Sequence, residues 1–175
     1  MSRTINAIAA LALSLGGCTS VGQIPSAKIA SGTLHSANGA AVGTVVLLAA
    51  GDDVAINVAV TGLPPGMHGI HLHTVGSCEA PGFASAGGHL NPHSMQHGTA
   101  NPAGPHLGDL PNLIVGSSGT GEVTAKLRDS RATAMAALFD ADGTAIVIHA
   151  APDDYRTDPS GTSGTRIACA VLQRG

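Results

Sequence analysis

Between Gly66 and Asp109 the chain gathers His68, His71, His73, His89, His93, His97 and His106, leaving only His35 and His149 elsewhere among its nine histidines. Imidazole fills a core poorly, and solvated imidazoles have no packing reason to crowd into one stretch. A metal site accounts for them. The fold must therefore bring this segment back onto itself. If His71 and His73 lie on a strand, the two-residue period sends both rings to one face, where they can share an ion, and sends His68 to the other. His89, His97, His106 and Asp109 follow in a Gly/Pro-rich segment unsuited to regular structure, so they can wrap a second ion from a loop. Neutral imidazoles with one carboxylate suit zinc or copper rather than calcium or magnesium.

The rest of the sequence favours strands. Hydrophobic residues make up 43%, with no Trp and two Phe, so the core is built of Ala, Val, Ile and Leu. Gly 24 and Pro 10 imply many turns and long ordered loops. The pattern predicts strands over Lys28–Leu34, Val42–Ala49, Val54–Val60, the His71 segment, Leu113–Val115, Gly121–Leu127, Ala134–Leu138, Ala145–His149 and Ile167–Leu172. Asn38-Gly39 and Gly51-Asp52-Asp53 mark the turns of the first hairpins. No stretch shows a capped 3.6-residue period. About eight short strands and two long loops, the second over Ala151–Gly164, describe an all-β sandwich or barrel. A formal charge of -3, with no basic run and no basic–aromatic interleaving, excludes nucleic acid as a partner.

Residues 1–17 read as a secretion signal: Arg3, then an apolar run from Ile5 to Leu15 that is too short to span a membrane. The ending Leu15-Gly16-Gly17-Cys18 resembles the lipobox of bacterial lipoproteins, in which cleavage precedes a cysteine that carries lipid. An ordinary signal peptide with an incidental Cys18 is the alternative. Residues 18–28 then form a lipidated tether and 29–175 the domain. Cleavage removes only Arg3 among the charged residues, leaving 7 cations against 11 anions, a net -4. If Cys18 carries lipid, Cys78 and Cys169 remain as a pair for an oxidising compartment. Their bridge would close about 90 residues, for which chain entropy gives on the order of 4–5 kcal/mol.

Five motifs in order resemble copper/zinc superoxide dismutase of the bacterial, exported type. They are Gly-Met-His-Gly-Ile-His-Leu-His from Gly66, Ser-Ala-Gly-Gly-His-Leu-Asn-Pro from Ser85, His-Leu-Gly-Asp-Leu from His106, Ile-His-Ala-Ala-Pro-Asp-Asp from Ile148, and Gly-Thr-Arg-Ile-Ala-Cys-Ala-Val from Gly164. The resemblance covers roughly Thr33–Leu172 and implies an eight-stranded Greek-key β-barrel or sandwich with a zinc/disulfide loop and a second active-site loop. By motif, His71, His73, His89 and His149 correspond to copper ligands, and His89, His97, His106 and Asp109 to zinc ligands, His89 bridging both metals. Asp153 corresponds to a carboxylate joining a copper and a zinc histidine, Arg166 to the arginine beside copper, and Cys78 with Cys169 to the structural disulfide. The implied reaction converts superoxide to dioxygen and hydrogen peroxide, in the cell envelope and on a lipid anchor. Thr19 after Cys18 points to the outer membrane where there is one.

Bland readings remain for other residues. His68 braces the barrel end, His35 is a surface residue, and His93 is solvent-exposed inside the zinc loop. The second loop carries Asp154, Arg156 and Asp158 but no lysine where many relatives place one for steering. A homodimer is compatible with the resemblance, but the dimer contact differs between branches of the family, so oligomeric state is not carried over. A metal-buffering module of the same fold and a copper-only dismutase are the competing readings. Both are disfavoured by the complete ligand set and Arg166.

Overall fold

The computed structural model describes residues 26–175; the expected signal segment, Cys18 and the tether up to residue 25 lie outside them. The chain forms β1 (Ala27–Ser36), β2 (Ala41–Ala50), β3 (Asp53–Val60), β4 (Gly66–His68), β5 (Ile70–His73), β6 (Leu113–Val115), β7 (Gly121–Lys126), α1 (Arg131–Leu138), β8 (Ala145–His149), β9 (Arg166–Val171) and β10 (Gln173–Arg174). Strands pair in the order β4-β6-β7-β3-β2-β1-β9-β8-β5, with β10 on β1. The two ends of this path, β4 and β5, are consecutive in the chain. Gly69 joins them, so the sheet is nearly closed into a barrel. Counting β4 with β5 and β9 with β10 as interrupted single strands leaves the eight that the resemblance implied.

Alternation decides which way each strand faces. Along β3, Val54, Ile56, Val58 and Val60 are buried and the residues between them are not, the period-two signal of a strand with one wet face. Every residue of β5 and β8 is buried, because these two strands are covered on both sides. Ile70, Leu72, Ile146 and Ile148 join the barrel core. Ala145 and Val147 face outward into a smaller cluster with Phe83, Ala86 and Cys169. His71 and His73 therefore share the outer face of β5, under the loops.

One expectation fails. Ala134–Leu138 is not a strand but the end of helix α1. Ser130 caps it, accepting from the Thr133 N–H, and four alanines supply high helix propensity. Only Ala134 and Leu138 are buried. With a single buried pair four residues apart, a two-turn helix shows too little periodicity to be read from sequence.

Candidate metal centre

The long loop after β5 is laid against that strand by main-chain bonds. Leu72 N–H donates to Gly108 O at 2.9 Å, and Leu90 N–H to Leu72 O at 2.8 Å. The loop thus extends the sheet on the free edge of β5, with His71 facing Asp109 and His73 facing His89. A β-bulge at Ile148/His149 sets His149 opposite Arg166 on β9. Gly69 allows the second loop to close over this edge. A Cβ there would meet Ser163 Oγ at 2.6 Å, and its own N–H donates to Ala151 O at 2.9 Å.

Two groups of side chains converge. One nitrogen each of His71, His73, His89 and His149 lie within 4.8 Å of one another, all four residues buried. Hydrogen bonds made by the opposite ring atoms fix which nitrogen is free, because a carbonyl or carboxylate can only accept. His73 Nδ1 donates to Gly87 O (3.0 Å), His149 Nδ1 to Gly164 O (3.2 Å) and His71 Nε2 to Asp153 Oδ2 (2.8 Å). Their remaining atoms, His73 Nε2, His149 Nε2 and His71 Nδ1, are buried without partners, and so is His89 Nε2. Four orphaned lone pairs in one place are costly unless an ion satisfies them. Burial also keeps the rings neutral, with the second nitrogen of each unprotonated: it lowers His71 to about 3, His73 to about 2 and His149 to about 4.

The second group is built around a carboxylate. Asp109 Oδ1 lies 3.0 Å from His89 Nδ1, 3.0 Å from His97 Nδ1 and 3.2 Å from His106 Nδ1. Ligands at zinc distances in a tetrahedron stand roughly 3.3 Å apart, so these spacings fit one tetrahedral ion. His97 Nδ1 is near enough to Asp109 yet lacks hydrogen-bond alignment, as expected of two atoms aimed at a common third. His71 also comes within 4.8 Å of His89, His97 and Asp109. Its Nε2 is engaged by Asp153 and its Nδ1 is among the orphans of the first group, while His106 meets this second group through Asp109 Oδ1, 3.2 Å from its Nδ1.

Charge separates the groups further. Gly98 N–H and His106 N–H donate to Asp109 Oδ2 at 2.8 and 3.0 Å. Burial would raise the Asp109 carboxyl, but the hydrogen bonds from His106 and His89, the neighbouring His97 ring and the Gly98 N–H outweigh it and hold the group far below the carboxylate range. For His97, burial would lower the ring, yet Asp109 and Asp153 raise it to about 9. The carboxylate centre calls for a cation, and without an ion the His97 proton supplies it.

Asp153 spans the two groups, accepting from His71 Nε2 at 2.8 Å and His97 Nε2 at 2.9 Å. Its backbone is held by Asn112 in a reciprocal pair, Asp153 N–H to Asn112 Oδ1 at 2.8 Å and Asn112 Nδ2 to Asp153 O at 2.9 Å. Asn112 N–H in turn donates to Tyr155 Oη at 2.7 Å. Sequence reasoning missed Asn112 and Tyr155; Asn112 follows the His-Leu-Gly-Asp-Leu motif closely but carries no ligand spacing. It also missed Gly161, whose φ is +64° and on which a Cβ would overlap the Asp153 carboxylate.

Beside the centre a cleft of about 410 Å³ is lined by His73, His89, His149 and Arg166. Among the described residues, Arg166 is the one permanent cation lining this cleft. Elsewhere His68 sits between His149 O (2.8 Å) and Pro64 O (2.9 Å), the brace expected of it. His35 is exposed. His93 pairs with Asp129 at 2.8 Å with about half its side chain exposed, and stays out of both groups. Cys78 and Cys169 form a disulfide with Cα atoms 5.7 Å apart, 91 residues apart in sequence.

Fold and centre together define a nearly closed β-barrel that carries two adjoining histidine clusters beside one sheet edge. Residues 41–172 match the copper/zinc superoxide dismutase (SODC) family, and the chain belongs to it. It is 39% identical over 148 residues to superoxide dismutase [Cu-Zn] 2 of Aquifex aeolicus, covering 80% of this chain and 84% of that one. It is 37% identical over 137 residues to an extracellular superoxide dismutase [Cu-Zn] of Haemonchus contortus, covering 75% and 73%. The crystal structure of a SOD-like protein from Bacillus subtilis superposes with a TM-score of 0.78 at 39% identity, covering 84% of this chain and all of the other. Bacterial and extracellular relatives, with the disulfide, fit a location outside the cytoplasm.

Proposed function

We propose that the chain is a superoxide dismutase whose copper is held by His71, His73, His89 and His149 and whose zinc is held by His89, His97, His106 and Asp109. The observation that carries this reading is the set of four buried, partnerless ring nitrogens that shares His89 with the Asp109 group and borders the Arg166 cleft. Copper, when bound, supplies one-electron chemistry, so that one superoxide is oxidised to dioxygen and a second, with two protons, is reduced to hydrogen peroxide. Zinc has no such redox change and suits the carboxylate-centred group as a structural ion.

The protein's own groups do the rest. Arg166 draws and docks the anion locally, against an unfavourable overall charge. His89 Nε2, facing the copper group while Nδ1 faces Asp109, is placed to hold and release a proton in each cycle. Asp153 fixes the rings of His71 and His97 so that their free Nδ1 atoms point inward.

The test is superoxide decay with the purified chain lacking residues 1–18, metal-free and then loaded with equimolar copper and zinc. Catalytic decay confined to the loaded protein supports the reading. Tight binding of both metals without turnover would make it a metal-buffering relative instead. We further infer that residues 1–17 are removed, that Cys18 is lipidated and that 18–28 tethers the domain within the envelope, at the outer membrane where there is one. The support is Leu15-Gly16-Gly17-Cys18 with Thr19 next. Cys18→Ala should release active protein into the periplasm or medium, and retention on membranes would refute the anchor.

A further inference from the structure

Arg166 is held from one side only, by a short turn. Its Nη1 donates to Phe83 O at 2.6 Å and its Nη2 to Gly87 O at 2.7 Å. Those carbonyls flank the 3-10 turn Ala84–Ala86. Gly87 O also accepts from His73 Nδ1 at 3.0 Å, so one backbone oxygen ties the cation of the cleft to a histidine of the first group. The anchor of the turn is the Phe83 ring, 1% exposed and packed with Ala86, Ala145, Val147 and Cys169 outside the barrel core. Phe83 holds this place with a φ of +52°, a left-handed conformation that a bulky side chain rarely adopts. Burial of the ring offsets that cost.

We propose that Phe83 is a positioning residue: its buried ring locks the turn whose flanking carbonyls aim the Arg166 guanidinium at the cleft. Guanidinium is a planar fork of five N–H donors. Two are spent on Phe83 O and Gly87 O, which fixes the plane and leaves the others for an anion. Preorganisation of this kind matters most where a single cation lines the cleft, since no neighbouring charge compensates for a misdirected one. Phe83 touches no substrate; it acts through Arg166.

The inference rests on the cleft being the anion site, and its test separates the two ideas. Azide affinity is measured by visible titration of the copper- and zinc-loaded protein. The rate at which phenylglyoxal labels Arg166 is measured by peptide mapping of the metal-free protein. Phe83→Ala should weaken azide, by up to about the 100-fold that a misplacement of about 1 Å costs in an oriented site, and speed Arg166 labelling. Added to Arg166→Ala it should weaken azide no further, because both changes remove the same interaction. Phe83→Leu, which keeps apolar volume and folds more readily, should show both effects at smaller size. Unchanged azide affinity and labelling beside a lowered melting temperature would reduce Phe83 to a core residue and overturn the inference. So would an equal loss in the Arg166→Ala background. If wild type bound no azide, the cleft reading would fail, while the labelling rate would still decide whether Phe83 holds Arg166.

Discussion

The two side-chain clusters meet at His89 and lie against each other, yet they are built on opposite electrostatic plans. The His71–His73–His149 side is all nitrogen, buried and uncharged, and each ring is oriented by an acceptor behind it. The Asp109 side concentrates an ionised carboxylate among three rings and holds a proton on His97. A neutral nitrogen cage can serve an ion whose charge changes. A carboxylate cage binds an ion of fixed charge and fastens the loop around it. The contrast predicts that damage to one side is read out differently from damage to the other.

The largest effect should come from His149→Ala. It removes one orphaned lone pair and nothing from the Asp109 group, so superoxide decay should fall to the metal-free rate while zinc content, measured by mass spectrometry, stays near one per chain. Loss of zinc as well would show that the groups do not separate. Asp109→Asn should do the reverse, removing the charge that three imidazoles surround. Zinc affinity should drop by at least about 100-fold in a chelator competition, the upper end of what loss of an orienting partner alone costs. Copper should be retained more strongly than zinc.

Asp153→Ala tests the link between the groups. Both His71 and His97 lose the acceptor that points their Nδ1 inward, and affinity for each metal should fall about 10–100-fold. An effect on one metal alone would mean that the bridge seen at 2.8 and 2.9 Å orients only one ring.

The clustering side chains are legible in sequence because coordination demands particular side chains at particular spacings. His71 and His73 were readable from strand period alone, and the barrel from the alternation of Val54, Ile56, Val58 and Val60. The orienting acceptors behind the first group were not, since Gly87 O and Gly164 O are main-chain atoms that any residue would supply. Asn112 and Tyr155 act across 41 and 43 residues of sequence, a distance only the folded second loop closes. Helix α1 was hidden for another reason: with one buried pair, its alanines carry propensity but no period.

The smallest effect, and the one most specific to the contrast, is the pH dependence of the metal-free fold. Burial lowers His71 to about 3, His73 to about 2 and His149 to about 4. As pH falls from about 6.5 towards about 4, the unfolded chain takes up protons there that the folded chain refuses, so stability falls. Asp109 and Asp153, held below the usual carboxylate range, add to the loss at still lower pH. His97 works the other way. Raised to about 9, it gives stability that is complete below its unfolded pKa near 6.5 and lost as pH rises through about 9. Metal-free protein should therefore melt highest near pH 6.5 and lower on both sides. Zinc should flatten the alkaline side, because an ion in the Asp109 group replaces the His97 proton as the required cation. Thermal melts from about pH 5 to about pH 9, with and without zinc, check this. A metal-free melting temperature that rose steadily to pH 9 would show that the carboxylate centre does not depend on that proton.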